Sequence, residues 1–413
     1  MRIVTAIFIG GLMIGCSAEV QEENKTLALV ETSTSLAQGG MTGVLGQNGY
    51  AHLYTLNKSV PSSMADGVLL EDVRRFILAD TYGERESKRL NKHSFFHLDD
   101  FPSLGLSDQA YNQLCERKKD LSCLEQIKLR HDDYNKNLDN NRILVQKSLD
   151  LNRFDYFASF FPDGLNTPIP DFKPLRYLPT ASMVEFSKGG HDKGMNWACQ
   201  SIQLGYKLLQ SSDHLVTNMV GSSMISDGSF VLSEMLVKTP QGTLPLSCQH
   251  LLSLSTYNTG NMVCQALRNE KRMVLATMMQ AKMPEGGVLI GEPLDVYCQD
   301  ASIQEMNADV PLSDKWEKLI GSTNERHPEF CKKNKELCLA DDHSRPSYYN
   351  YGLRIQDSMM YLRMVQQELS SKMGNNLGAL KVNKARHIQV HDNTVSFLLY
   401  ESGDRQRGKI YKQ

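Results

Sequence analysis

The chain has 413 residues, 41% hydrophobic and 22% charged, with a formal net charge of -2 at pH 7. That length suits two domains or one large helical array. Balanced charge, without Lys/Arg clusters interleaved with aromatics, argues against nucleic acid as a partner.

Arg2 and the amino terminus give a positive start, and residues 3–14 (IVTAIFIGGLMI) form an apolar run. It is well short of the roughly 20 residues that a bilayer-spanning helix needs, so residues 1–15 read as an export signal. The run ends in MIGC, which resembles the bacterial lipobox, although Met13 is a less usual occupant than Leu. The resemblance implies cleavage before Cys16 and lipidation of its thiol. With Ser17 rather than Asp following, it also implies sorting to the outer membrane. Acyl chains, palmitate among them, add about 0.8 kcal/mol per buried methylene, so a multiply acylated Cys16 would hold the protein on the membrane whatever the fold. Residues 16–60, rich in Ser, Thr, Gln, Glu and Gly, then read as a flexible tether.

Residues 61–174 form an N-terminal helical region. Val68, Leu69, Val73, Phe76 and Ile77 recur at helical spacing after Asp66, which predicts a helix of three to four turns closed by Gly83. From Cys123 a longer stripe of Leu124, Ile127, His131, Tyr134, Leu138 and Val145 predicts one amphipathic helix to about residue 151. Ser122 and Glu125 form its capping box. His131 falls on the apolar face, where a hydrogen-bonded core histidine is the expectation.

Between residues 175 and 282 helix-length segments alternate with turn signals at Gly189-Gly190, Asp227-Gly228 and Pro240, a pattern of stacked helical hairpins. The spacing is not constant, so a solenoid and an irregular bundle both fit. Residues 283–413 contain a helix at 352–371, with Ile355, Met359, Leu362 and Leu369 on one side. A β-hairpin signature follows, in which Ile388 and Val390 alternate before Asp392-Asn393, then Val395, Phe397 and Leu399. The fold class is therefore mainly α, with stacked helical hairpins and a small C-terminal hairpin.

Nine cysteines are present. With Cys16 acylated, Cys115, Cys123, Cys199, Cys248, Cys264, Cys298, Cys331 and Cys338 remain as an even set in an exported chain, hence disulfide candidates. Roughly a hundred connectivities are open. Residues seven or eight apart on one helix lie beyond disulfide reach. Cys115 and Cys123 can therefore pair only if the chain turns, which the capping box at Ser122 supports. No break is evident between Cys331 and Cys338, so pairing elsewhere is equally open for them.

The order of HSFFHLDDFPSLGL, a cysteine pair, LEQIKLRHDDYNKNLDNNRILVQKSLDLNRFDYF and FSKGGHDKGMNWACQSIQLGYKLLQSSDHLVTNMVGSSMIS resembles a group of uncharacterised proteobacterial envelope proteins over roughly residues 90–400. The resemblance implies a helical architecture and carries no activity.

No cofactor or catalytic motif emerges. GSSMISDGS lacks the nucleophile elbow, and GGVLIGEPLD at 286–295 is neither a phosphate loop nor a dinucleotide fingerprint. Asp99-Asp100 and Asp341-Asp342-His343 are acidic knots expected to be solvated, and His387, His391 and Asp392 are expected as exposed strand polars rather than metal ligands. Tyr348, Tyr349 and Tyr351 are expected to pack on the last helix. The expectation is a non-enzymatic lipoprotein of the outer membrane, facing the periplasm, that binds another envelope protein as scaffold, assembly factor or toxin-neutralising partner. The alternative is a periplasmic hydrolase of cell-wall or lipid substrates. A pocket bringing together two or more of His97, Asp99, Asp100, Asp342 and His343 would favour it.

Overall fold

The computed structural model describes residues 47–78, 95–106, 111–115, 121–163, 167–211, 214–240, 244–280, 298–311, 325, 327–374, 382–392, 394–401 and 407–411. Cys16, Gly83 and the glycine-rich stretch 286–295 lie outside them. The architecture is mainly helical with a small antiparallel sheet at the C-terminal end.

The segment read as the end of the tether is folded. Helix α1 (Tyr50–Tyr54) buries Tyr50, Ala51, Leu53 and Tyr54. Its start is fixed by Asn48, whose Oδ1 accepts from Tyr50 N and Ala158 N while its Nδ2 donates to Ala158 O. Leu53 and Leu56 join the main core, so the polar composition upstream of residue 47 does not carry on to residue 60. Helix α2 (Ala65–Leu78) packs on α1 in a satellite core with Phe161, and buries Leu69 and Phe76 as the spacing predicts.

The long helix expected from Cys123 is three: α3 (Cys123–Leu129), α4 (His131–Asn140) and α5 (Arg142–Asp150). The breaks fall at Arg130 (φ -137°, ψ 45°) and Asn141 (φ -109°, ψ 12°), where the backbone leaves the helical region. Asn141 Nδ2 donates to Asn137 O at 2.7 Å, a local bond that competes with helix continuation. The first break turns His131 to solvent, where it is exposed rather than on the apolar face; Ile127, Tyr134, Leu138 and Val145 are buried as expected. The capping box is formed, with Glu125 N donating to Ser122 Oγ at 3.1 Å and Ser122 N to Glu125 Oε2 at 2.8 Å.

Helices α6 (Lys173–Ser187), α7 (His191–Ser211) and α8 (Leu215–Lys238) form the centre. Gly189, at φ 91°, makes the α6–α7 turn in a conformation that a side chain would strain. The turn expected at Asp227-Gly228 is absent, because α8 runs straight through it. A Cβ on Gly228 would meet Ile202 Cγ1 at 2.7 Å, so this glycine serves the approach of α7 and not a reversal. The crossing is closest at Gly221, where a Cβ would lie 2.5 Å from Gly205 O and 2.9 Å from Leu209 N. Those atoms are backbone and cannot move aside alone. Gly221→Ala is expected to force the helices apart and cost about 2 kcal/mol in a denaturation experiment. Ala at Gly67, which has nothing within 4 Å, is the control that should not destabilise.

Helix α8 touches α6, α7, α3, α10 (Thr259–Gln280), α13 (Lys335–Lys372) and the sheet. In a solenoid each hairpin meets only its neighbours. Here one helix is enclosed on all sides, so the array is an irregular bundle. Helix α9 (Leu246–Leu251) is short and lies on α7; α11 (Asp300–Asn307) lies on α10.

Helix α12 (Pro328–Lys333) ends at Asn334 (φ -127°, ψ 50°), a break unseen in the sequence that lets Cys331 reach Cys338 on α13. Helix α13 extends the predicted 352–371 helix toward its N-terminus. The hairpin is part of a three-stranded sheet, β1 (Gln389–His391), β2 (Thr394–Leu398) and β3 (Arg407–Tyr411), in that order. Val395, Phe397 and Ile410 bury against Met360, Tyr361 and Met364 of α13. Ile388 and Val390 are exposed, so the strand supplying the inner layer beside β2 is β3 rather than β1.

Candidate functional site

The cysteines form four disulfides: Cys115–Cys123, Cys199–Cys248, Cys264–Cys298 and Cys331–Cys338. Both short-range pairs close, Cys331–Cys338 across the helix break at Asn334. The Asp99-Asp100 knot is a local one. His97 Nδ1 lies 2.9 Å from Asp100 Oδ2, but both sit on a single exposed turn of 3-10 helix, and Asp99 pairs instead with Lys58 at 3.7 Å. The turn is anchored by Asp72, fully buried on α2, which accepts from Tyr54 Oη at 3.0 Å and Leu98 N at 3.1 Å, and also from His97 N. Burial raises the Asp72 pKa. The side chains of Asp341, Asp342, His343, Tyr348 and Tyr349 lie outside the described residues; Tyr351 is half-buried beneath Arg354. His387, His391 and Asp392 are exposed, and no group of three or more metal-ligating side chains occurs among the described residues.

One open concavity is lined by residues that the sequence did not nominate. A groove of about 620 Å³ has α7 as its floor, the end of α5 and residues 152–153 as one wall, and α9 as the other. Asn196, Gln200 and Gln203 project into it at steps of four and three residues, one stripe of α7. Facing them are Gln146, Asp150 and Arg153 on one side and Ser247 and His250 on the other.

These groups are held in place. Gln203 Nε2 donates to Ser247 O at 2.5 Å, and Ser247 Oγ donates to Asn196 Oδ1 at 2.6 Å. Gln146 Nε2 donates to Asp150 Oδ1 at 2.8 Å. Asn152 Nδ2 donates to Gln200 O at 3.0 Å, while Lys207 Nζ clamps Asn152 O at 2.6 Å and Phe154 O at 2.7 Å. Arg153 lies over the Phe154 ring with Nη2 3.2 Å from His52 Nε2. Burial, and then the Arg153 charge, lower the His52 pKa, so its ring is the neutral acceptor for Arg153 at neutral pH. Below the groove, Cys199–Cys248 ties α9 to α7. Five primary amides on two helices and a turn become one surface only after folding; the spacing 196, 200, 203 was the one signal legible beforehand.

A smaller cavity of about 380 Å³ lies between α6 and α8 beside Cys115, with Tyr111, Arg176, Ser223 and Asp227 in its lining. Its polar groups are engaged internally: Arg176 donates to Tyr111 Oη, and Ser223 Oγ to Asp227 Oδ2 at 3.0 Å.

Nearby, Glu234 of α8 accepts from Cys123 N at 2.8 Å and Leu124 N at 3.0 Å, a second cap on α3 supplied from another helix. Burial, opposed by those two N–H groups, pushes its pKa up to about 7. Between the ordinary carboxyl value of 4.5 and about 7 the folded state thus binds more protons than the unfolded chain. Stability is expected to rise by about 2 kcal/mol as pH falls from 8 to 5 through this group. Glu234→Gln should remove that part of the slope; identical slopes for the two proteins in urea denaturation would refute the assignment.

The fold and its bonds define a mainly helical, disulfide-bonded protein with one open amide-lined groove among the cavities described. No helix among the described residues is long and apolar enough to cross a membrane. No protein-family model matches the chain, and no significant match to it was found among curated proteins or solved structures.

Proposed function

We propose that the protein is a non-enzymatic lipoprotein of the outer membrane, anchored through Cys16 and facing the periplasm, that binds another envelope protein as scaffold or assembly factor. The observation carrying this reading is that every cysteine from Cys115 to Cys338 is paired, which leaves Cys16, at the lipobox-like MIGC, as the one thiol outside the disulfide set. Disulfides persist in oxidising compartments outside the cytosol. Binding rather than hydrolysis is supported by the place of His97, Asp99 and Asp100 on an exposed turn, where His97 and Asp100 pair with each other and none of the three lines either cavity.

Two measurements test it. Cys16→Ser should abolish fatty-acid labelling and release an unprocessed or soluble exported form; labelling that persists would overturn the anchor. Crosslinking in intact envelopes followed by affinity isolation should then return one specific partner protein. Loss of the biological effect on changing His97, Asp99 or Asp100, in a protein that still folds and binds, would replace the reading with an enzyme.

A further inference from the structure

We infer that the amide-lined groove on α7 is a docking site for an extended, uncharged polar peptide segment of a partner protein, gripped through its backbone. The inference rests on the binding reading above and gives it a place.

The argument begins with hydrogen-bond valence. A primary amide offers two donors and one carbonyl acceptor, and each groove amide spends only part of that on the protein. Asn196 accepts from Ser247 Oγ, which leaves its Nδ2 donors to the groove. Gln203 and Gln146 donate through Nε2, which leaves their Oε1 acceptors. Gln200 makes no side-chain hydrogen bond to another described residue. Asn152 is the exception: it donates to Leu149 O and Gln200 O and its Oδ1 is buried, so it shapes the groove and offers it no acceptor. Alternating donors and acceptors are what a peptide backbone presents, one N–H and one C=O per residue.

Spacing agrees. From Asn196 to Gln203 the helix rises about 10 Å at about 1.5 Å per residue. An extended strand covers that distance in about three residues at about 3.3 Å each, one for each amide of the stripe. Charge also selects. Asp150 and Arg153, side by side on one wall, carry opposite charges, so the groove has no net charge from them that would recruit a strongly charged segment. Leu149 and Leu246 are its apolar groups and, among the described residues, no Phe, Tyr or Trp ring lines it to offer the flat stacking platform that favours a sugar ring. The walls are fixed before any ligand arrives, by the disulfide under α9 and the Lys207 clamp, which lowers the ordering cost of binding.

The test uses the full-length, oxidised protein and a positional-scanning library of acetylated, amidated hexapeptides, read by fluorescence anisotropy. Uncharged polar hexapeptides should bind. Gln200→Ala, which removes no internal hydrogen bond and should leave melting unchanged, should weaken them about tenfold. His250→Ala, on the opposite wall, should weaken them less, and N-methylation of the central backbone amides should abolish binding. The assignment fails if no hexapeptide binds, if binding ignores both Gln200→Ala and N-methylation, or if an N-acetylglucosamine tetramer binds instead and is lost in Gln200→Ala. The two readings fail separately. An envelope partner whose crosslinks map away from α7 and survive Gln200→Ala sinks the groove alone, whereas hexapeptide binding without any envelope partner sinks the lipoprotein-partner reading alone.

Discussion

Replacing Arg386 by Met is expected to destabilise the protein by about 3–5 kcal/mol, the range for stripping one partner from a buried ion pair. Arg386 is fully buried. Its Nη2 and Nε reach Asp309 Oδ1 at 2.6 Å and Oδ2 at 3.1 Å, its Nη1 pairs with Asp357 and donates to Leu398 O, and its guanidinium lies 3.4 Å from the centre of the Tyr400 ring. Arg363 completes the set, 3.3 Å from Asp309 Oδ2. The four charges cancel, and Asp357 also accepts from Tyr400 N at 2.9 Å and Glu401 N at 3.1 Å. Through this knot the 309 turn, α13, the turn before β1 and the chain leaving β2 are tied together. Without Arg386, two carboxylates are left buried beside a single guanidinium. Arg386→Met/Asp357→Asn should therefore lose less than the two single changes added together. Acid should relieve the Arg386→Met defect as well. Burial already raises the Asp357 pKa, and losing Arg386 raises it further, so the folded state takes up protons and recovers stability as pH falls. Arg386→Lys should rescue poorly, since an ammonium provides neither the two-pronged contact to Asp309 nor the stack on Tyr400. Equilibrium denaturation at pH 7 and pH 5 separates these outcomes; a loss under about 1 kcal/mol at pH 7 would show the knot to be incidental.

Removal of Cys199–Cys248 as a pair of alanines is expected to cost about 4 kcal/mol, because in the chain-entropy model the cost grows with the loop closed. This bond spans 49 residues, against 8 for Cys115–Cys123 and 7 for Cys331–Cys338, whose loss should cost about 2.5 kcal/mol each. The consequence is also local. Helix α9 has six residues, of which Cys248 and Leu251 are buried, so its hold on α7 is mostly this bond and the Gln203–Ser247–Asn196 chain. Hydrogen exchange in α9 should accelerate beyond the global loss, and the groove should lose one wall. A destabilisation no greater than that from removing Cys331–Cys338 would contradict both points.

Elements whose signal is local could be read from the sequence. The capping box at Ser122, the apolar spacing of α2 and of the C-terminal half of α13, and the turn at Gly189 each depend on neighbours within one or two helical turns. So does the strand alternation of Val395 and Phe397. The even cysteine set likewise indicated disulfides without their pairing. What the tertiary structure decided was wherever a residue answers to a distant one. Gly228 has the local signature of a turn, yet the approach of Ile202 across the α7–α8 contact makes it a helix-interior glycine. His131 keeps the period of an apolar stripe, but the break at Arg130 rotates it into water. Asp72, Glu234, Asp309, Asp357 and Arg386 look like ordinary surface charges in the sequence. Their burial is stabilised by partners 18 to 111 positions away, which no local pattern encodes. The groove is the same case: Gln146, Asn196 and Ser247 are unremarkable polar residues until helix packing and one disulfide set them around a common space.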